Sequence, residues 1–177
     1  MRIISGKLGG RRISPPKNMP HTRPTTDIAK EGLFNILHND IALIDIKTLD
    51  LFGGTGCITY ELYSRGAIDQ VIVEKDPKMQ TFIAQNCNAL GIENVRIIKG
   101  DIFTYLQNCN EKFDFIFAGP PYALTNIDDI PKYIFDYSLL DHDGLFVMEH
   151  TPRNIYKTHP NFVKQRNYGT TLFSFFR

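Results

Sequence analysis

Beyond residue 45 the chain alternates short apolar segments with segments of helical periodicity, and this alternation restricts the fold more than any other feature. The predicted strands are 48–52, 71–74, 95–98, 113–118 and 145–149, and the predicted helices lie near 57–65, 77–89, 102–108 and 129–140. Short apolar strands that alternate with helices form parallel sheets covered on both faces, so we expect an α/β fold. Two further strands, 162–168 and 171–176, predict a terminal hairpin.

A short basic extension precedes this region. Arg2-Ile-Ile is followed by a glycine-rich run at 5–10 and by Arg11-Arg-Ile13, a pattern that predicts a small β-hairpin. The next segment, Arg23-Pro-Thr-Thr26, predicts a helix entry with Thr25 or Thr26 as the N-cap. We therefore divide the chain into an N-terminal β-hairpin extension, residues 1–24, and a main domain, residues 25–177.

The net charge of +1 conceals a strong internal division. Residues 1–30 contain seven Lys or Arg against one Asp, a net +6, and residues 151–177 contain five basic residues and no acidic one. The middle, 31–150, holds eight basic and eighteen acidic residues, a net −10. Basic ends would attract a polyanion through its phosphates, although a solvated basic tail has the same composition.

Composition also narrows the class of protein. Neither the first residues nor any later run has the apolar length of a signal peptide or a membrane span, so we expect a cytoplasmic protein without a membrane partner. The three cysteines are odd in number and lack a C-x-x-C pair, and the five histidines lack metal-ligand spacing. Neither a disulfide framework nor a metal site is predicted, and we expect a monomer.

The segment Asp50-Leu-Phe-Gly-Gly-Thr-Gly56 follows the first predicted strand and opens a helix. Glycines in such a turn allow a ligand to approach the backbone at the carboxyl end of the strand. Residue 59 is Thr, so the G-x-G-x-x-G spacing of dinucleotide-binding loops is absent. The Asp50 carboxylate would repel a pyrophosphate but suits a ligand that carries an ammonium and a sulfonium, as S-adenosylmethionine does.

Two more acidic residues end the next predicted strands. Glu74 lies where a carboxylate can accept from ribose hydroxyls, and Asp101 ends the third strand. Carboxylates at three successive strand ends would contact a ligand from its amino acid to its ribose to its adenine. Asp50 and Asp101 could instead be helix caps, and Glu74 could be surface charge.

The apolar strand 113–118 runs into Gly119-Pro-Pro-Tyr122. Proline fixes its own φ and biases the preceding residue to extended geometry, so this turn is a stiff loop at the strand end. A backbone carbonyl and a flat ring presented there suit a planar base with an exocyclic amine. Tyr122 is the candidate ring for stacking.

Taken together, these motifs resemble the RsmD family of small-subunit ribosomal RNA guanine-N2 methyltransferases. The resemblance rests on Arg23-Pro-Thr-Thr26, the 50–56 loop, Glu74-Lys-Asp76, Gly100-Asp101, Pro120-Pro-Tyr122 and Tyr168-Gly-Thr-Thr171. It implies a class I methyltransferase fold of Rossmann-like type, with a mostly parallel seven-stranded sheet, a C-terminal antiparallel hairpin and a short N-terminal β-hairpin. It also implies S-adenosylmethionine as methyl donor and a guanine amine of 16S rRNA as acceptor, met in a small-subunit assembly particle.

The resemblance implies a role for each matching residue. Asp50, Gly53, Gly54 and Gly56 would hold the methionine end of the methyl donor, Glu74 the ribose and Asp101 the adenine. Phe52 and Thr25 are assigned to the same cofactor site. The catalytic segment would be Gly119, Pro120, Pro121 and Tyr122, and the RNA-binding residues would be Arg2, Lys7, Arg11, Arg12 and Arg23.

The chain departs from the family at residue 119, because the family motif reads Asp-Pro-Pro-Tyr and this chain has Gly119. The missing carboxylate would accept from the target amine, and its loss typically costs on the order of 10²–10⁴ in rate. Asp128 or Asp129 could supply a replacement. One alternative is a protein that binds methyl donor and RNA with weakened or lost catalysis, and another is an N-methyltransferase acting on DNA adenine or a protein amide.

Overall fold

The computed structural model describes residues 1–17, 19 and 25–177. Its helices are α1 (Asp27–Asp40), α2 (Cys57–Ser64), α3 (Pro77–Leu90), α4 (Ile102–Asn108) and α5 (Asp129–Asp136). Its strands are β1 (Lys47–Leu51), β2 (Asp69–Glu74), β3 (Val95–Lys99), β4 (Phe113–Ala118), β5 (Leu140–His150), β6 (Phe162–Tyr168) and β7 (Thr171–Phe176).

The strands form one seven-stranded sheet in the order β3-β2-β1-β4-β5-β7-β6. The first five strands are parallel, β7 runs antiparallel to β5, and β6 runs antiparallel to β7. This arrangement confirms the predicted parallel sheet with a C-terminal antiparallel hairpin. The chain order reverses beside β1, so a crevice opens at the carboxyl ends of β1 and β4.

Helices cover both faces of the sheet. Alternate strand residues divide into two hydrophobic layers, one packed against α1 and α2 and the other against α4 and α5, while α3 and the first residues of the chain complete a third cluster. On β1, for example, Leu49 and Leu51 belong to the α4–α5 layer, whereas Asp50 points to the opposite face, where Thr59 of α2 meets it. Strand alternation therefore sets which face each functional side chain reaches.

The helix ends follow the predicted signals. Thr26 is the N-cap of α1, and its side chain accepts a hydrogen bond from the Ala29 amide. Of the two predicted candidates, Thr25 and Thr26, the second is therefore the cap. Gly91 caps α3 in the left-handed region with φ 68°, as predicted from its position. No helix in the described part of the chain combines the length and the apolar character needed to cross a membrane.

The predicted boundary between the last helix and β5 was wrong. Helix α5 ends at Asp136 rather than near residue 140, and β5 begins at Leu140 rather than at residue 145. Ser138 adopts φ 52° and reverses the chain, so Leu140 reaches Phe113 on β4 and pairs with it. Leu139 and Leu140 continue the apolar periodicity of α5, so the sequence pattern alone did not indicate this break.

The two arms of the N-terminal segment, residues 1–17, pair as the predicted hairpin over a short stretch. One antiparallel bridge joins Arg2 to Arg12, and amides on both arms donate to carbonyls of the opposite arm at 2.9 to 3.0 Å. Two amides of the turn between the arms donate to α2: Lys7 to the Ser64 carbonyl at 2.8 Å and Leu8 to the Ser64 hydroxyl at 2.9 Å. The segment is thus part of the core packing, with Ile3 and Ile13 buried against α2 and α3.

A buried carboxylate on α2 holds this segment. Glu61 is fully buried and accepts from the amides of Ile4 at 2.7 Å and Ser5 at 3.0 Å. Lys30 of α1 lies 3.7 Å from the same carboxylate, is also buried, and donates to the Arg2 carbonyl. One ion pair therefore connects α1, α2 and the N-terminal segment.

We expect Glu61→Ala to lower the free energy of unfolding by about 3 to 5 kcal/mol, because it leaves the Lys30 ammonium buried without its counter-ion. Urea denaturation measures the change. Exposed Glu31→Gln on α1 is the matched control, with an expected change within about 0.5 kcal/mol. A destabilisation of Glu61→Ala as small as that of the control would contradict the anchoring role.

Candidate functional site

A cavity of about 560 Å³ lies at the carboxyl ends of the central strands. Its lining includes residues that follow or end β1, β2, β3, β4 and β5, so five strand ends converge on it. The lining contains the predicted residues Thr25, Asp50, Phe52, Gly53, Gly54, Glu74, Asp101, Gly119, Pro120, Pro121 and Tyr122. The fold therefore brings together the predicted cofactor segment and the predicted catalytic segment.

The glycine loop, residues 50–56, has a tightly wound backbone. Phe52, Gly54 and Gly56 have φ angles of 66°, 52° and 74°, in the left-handed region. A side chain on Gly53 would place its Cβ 2.3 Å from the Ile72 side chain, so only glycine fits this close approach to β2. Gly56 is the N-cap of α2. Of the loop residues predicted to bind the cofactor, Asp50, Phe52, Gly53 and Gly54 line the cavity and Gly56 does not.

Asp50 is a buried carboxylate in the cavity lining, as are Glu74 and Glu149. Its Oδ2 accepts a hydrogen bond from the Thr59 hydroxyl at 2.9 Å. Thr59 stands where a dinucleotide-binding loop has its last glycine, and here it orients the Asp50 carboxylate. The N-cap of α2 is Gly56, which leaves Asp50 without the capping role considered above. Burial raises the pKa of Asp50 to about 7, an effect that the Thr59 hydrogen bond partly offsets and the nearby Glu74 charge increases.

Glu74 joins the glycine loop to the start of α3. Its two carboxylate oxygens accept from the amides of Gly54 and Asp76, both at 2.7 Å. This bonding makes Glu74 a constrained member of the cavity wall and not a solvated surface charge. Each oxygen keeps a second lone pair, so further hydroxyl donors can still bind.

Asp101 has two roles in the structure. It is the N-cap of α4, accepting from the Phe103 amide at 3.0 Å, and it also lines the cavity. Its other carboxylate oxygen lies 3.7 Å from the exposed Lys75 ammonium. The capping bond therefore leaves one side of this carboxylate directed to solvent or to a ligand.

The turn at residues 119–122 closes the other end of the cavity. The Gly119 amide donates to the Leu51 carbonyl at 3.3 Å, which holds the turn beside the glycine loop. Tyr122 is 45% exposed, so its ring stands at the rim and is free to contact a planar ligand. Asp128, considered above as a replacement acid, accepts from Tyr156 and Asn154 and lies with Asp129 outside the lining in the described chain.

Glu149 was missed by sequence reasoning and is a further acidic member of the lining. It ends the apolar run of β5 as Glu74 ends β2, and this shared pattern was the available signal. Thr25 donates to its Oε2 at 2.6 Å, and Tyr122 donates weakly to its Oε1 at 3.4 Å. Burial raises the pKa of Glu149, against the lowering effect of these two hydroxyl donors.

The predicted RNA-binding residues of the N-terminal segment lie away from this lining. Arg2, Lys7, Arg11 and Arg12 are not among the residues that line the cavity, whereas Arg23 falls outside the described residues. The Lys7 ammonium lies 3.5 Å from the centre of the Tyr63 ring, at the C-terminal end of α2. That end is about 10 Å along the helix axis from the N-terminal end, which lines the cavity. These side chains could bind a large ligand only if it extends beyond the cavity.

Comparisons with known proteins agree with this architecture. A family model described as conserved hypothetical protein 95 matches residues 1–177. Ribosomal RNA small subunit methyltransferase D of Buchnera aphidicola (subsp. Baizongia pistaciae) is 31% identical over 149 residues, which cover 84% of this chain and 75% of the relative. The Escherichia coli K12 protein of the same name is 28% identical over 160 residues, 90% of this chain and 79% of that one.

Structural similarity extends over nearly the whole molecule. The solved structure of yhhF from Escherichia coli, described as a candidate methyltransferase, matches with a TM-score of 0.88 and 24% identity, covering 99% of this chain and 96% of that chain. The sheet order and the C-terminal hairpin are therefore those of the S-adenosylmethionine-dependent methyltransferase fold, as predicted. By its sequence over residues 1–177, the chain belongs to the conserved hypothetical protein 95 family, the RsmD-like family that was predicted from its motifs.

Proposed function

We propose that this protein transfers a methyl group from S-adenosylmethionine to the exocyclic N2 of a guanine in small-subunit ribosomal RNA. One observation carries the proposal: a single cavity joins a buried acid suited to an ammonium group with a rigid turn suited to a planar base. The names of the relatives support the RNA class of the substrate.

The residues at one end of the cavity fit the methyl donor. Asp50 would accept from the ammonium of the methionine part, and the open backbone of the glycine loop would lie along it. Glu74 would use its remaining lone pairs for the ribose hydroxyls, and the free side of Asp101 would face the adenine. When bound, S-adenosylmethionine supplies an electrophilic methyl group on a sulfonium.

The other end of the cavity fits a base with an amine. Backbone carbonyls of the 119–122 turn can accept from an exocyclic amine, and the exposed Tyr122 ring can stack on the base, a contact worth roughly 1–3 kcal/mol. The basic chain ends favour a nucleic acid over a protein amide, and the relatives named as ribosomal RNA methyltransferases favour guanine N2 in RNA over adenine in DNA. The assay below distinguishes guanine N2 from the three alternatives: DNA adenine, a protein amide, and a binding protein with weakened catalysis.

The direct test is transfer of radiolabelled methyl groups to under-methylated small subunits and to their assembly intermediates. Label should appear in the small-subunit RNA and, after digestion to nucleosides, coincide with N2-methylguanosine. Label in protein or in added DNA would support the other acceptors. Normal S-adenosylmethionine binding by calorimetry without any transfer would instead favour the binding protein.

The raised pKa of Asp50 predicts a pH dependence of methyl-donor binding. A pKa of about 7 means that Asp50 in the free protein gains a proton as the pH falls below neutrality, and a neutral acid cannot pair with an ammonium. The ratio of wild-type to Asp50→Asn affinity for S-adenosylmethionine should therefore fall about tenfold from pH 8 to pH 6 if the bound acid stays ionised, because titration of the ligand's own amine affects both proteins. Calorimetry of wild type and Asp50→Asn measures this, and an equal slope in both would rule out Asp50 as its source.

The exposed arginines of the N-terminal segment predict a salt-dependent RNA interaction. Arg11→Ala combined with Arg12→Ala should weaken RNA binding and reduce the slope of log affinity against log salt by about 2, because two guanidinium groups no longer neutralise phosphates. Filter binding at several salt concentrations gives the slope. Lys112→Ala combined with Lys132→Ala, which removes two exposed cations elsewhere, is the matched control and should leave the slope unchanged.

A further inference from the structure

Glu149 lies beside the space that a side chain at residue 119 would enter. Ala118 pairs with Met148 in the parallel register of β4 and β5, so Gly119 and Glu149 are the next residues along the two strands. An ideal Cβ placed on Gly119 would lie 3.1 Å from the Phe117 ring and 3.9 Å from Glu149 Oε2, the second being an ordinary van der Waals distance. The carboxylate of an aspartate at 119 and the carboxylate of Glu149 would therefore lie side by side in the same region of the cavity.

Methylation of an exocyclic amine needs an acceptor in this region. The lone pair of such an amine is delocalised into the ring, and hydrogen bonds from its N–H groups to fixed acceptors align the lone pair with the methyl group. The turn carbonyls provide one kind of acceptor. Gly119 provides no side-chain acceptor, so any second acceptor has to come from another part of the chain.

We infer that Glu149 is a catalytic residue that accepts a hydrogen bond from the target amine, in place of the aspartate that the family carries at position 119. The inference rests on the proposed function. Thr25 and Tyr122 each donate to a different oxygen of the carboxylate, and each oxygen retains a second lone pair for the substrate. With glycine at 119, no second carboxylate stands beside Glu149 on the neighbouring strand.

The same carboxylate completes the proton balance of the reaction. The N2 lone pair forms the new bond to the methyl carbon, the bond from that carbon to sulfur breaks, and its electron pair stays on sulfur. The N2 nitrogen then loses one proton, which passes to Glu149. Burial raises the pKa of this group, which strengthens it as a proton acceptor.

Single-turnover methyl transfer to the small-subunit substrate tests the inference in three variants: Glu149→Gln, Gly119→Asp, and the two combined. Glu149→Gln should reduce the rate on the order of 10²-fold or more, with S-adenosylmethionine affinity unchanged. Adding Gly119→Asp to it should recover at least about tenfold, because the carboxylate returns from the neighbouring strand. Glu93→Gln, at an exposed position after α3, is the control and should match wild type.

A binding measurement provides a readout that does not depend on turnover. Once the target nucleotide is mapped, a short RNA carrying it is compared with the same RNA carrying inosine, which lacks the N2 amine. Wild type should bind the guanine RNA more tightly, and Glu149→Ala, which removes the side-chain acceptor and keeps the turn carbonyls, should reduce that preference. A structural role alone would lower both affinities together.

The remaining outcomes separate this inference from the proposed function. If wild type transfers methyl groups and Glu149→Gln does so at a similar rate, Glu149 is not the acceptor while the proposed function stands. If Glu149→Gln does not fold, the rate of methyl transfer by Gly119→Asp tests the inference by itself. An unchanged or lower rate means that Glu149 already serves as the acceptor, and a gain above about tenfold overturns the inference. If neither wild type nor Gly119→Asp transfers methyl groups, the proposed function fails and the inference with it.

Discussion

The parallel pairing of β1 with both β2 and β4 is the constraint on which the site depends. Because β1 lies between them in register, Asp50, Glu74 and Gly119 all emerge at one edge of the sheet, although 69 positions separate the first from the last. The reversal of chain order beside β1 keeps this edge open, since the helices that follow β1 and β4 diverge to opposite faces. The glycine loop and the 119–122 turn then close around the opening.

Much of this architecture could be predicted from local sequence patterns. Strand β4 and the terminal hairpin were predicted with their observed bounds, because β-branched and aromatic runs end there at glycine, proline or polar residues. Three strand-end acids were recognised because each follows an apolar run and precedes a helix. Glu149 has the same apolar run before it but no helix after it, so the local pattern that identified Asp50 and Glu74 was incomplete there.

What could not be predicted depends on contacts between distant residues. Glu61 and Ser64 hold the N-terminal segment against α2, more than 50 positions from the amides that they bind, and no local pattern indicates those contacts. Helix α5 ends early because Leu140 pairs with Phe113. Both features have one cause: a backbone group takes the partner that the tertiary fold offers, and local helix propensity is too weak to prevent it.

The position of Glu149 also links the site to the end of the chain. Glu149 pairs with Phe173 of β7, whose ring is buried in the α1–α2 layer, so the antiparallel hairpin fixes the depth of this carboxylate in the cavity. Thr25, the residue before the α1 N-cap, also donates to it. The last strand and the residue before α1 therefore hold one buried acid from two parts of the chain that are more than 100 positions apart.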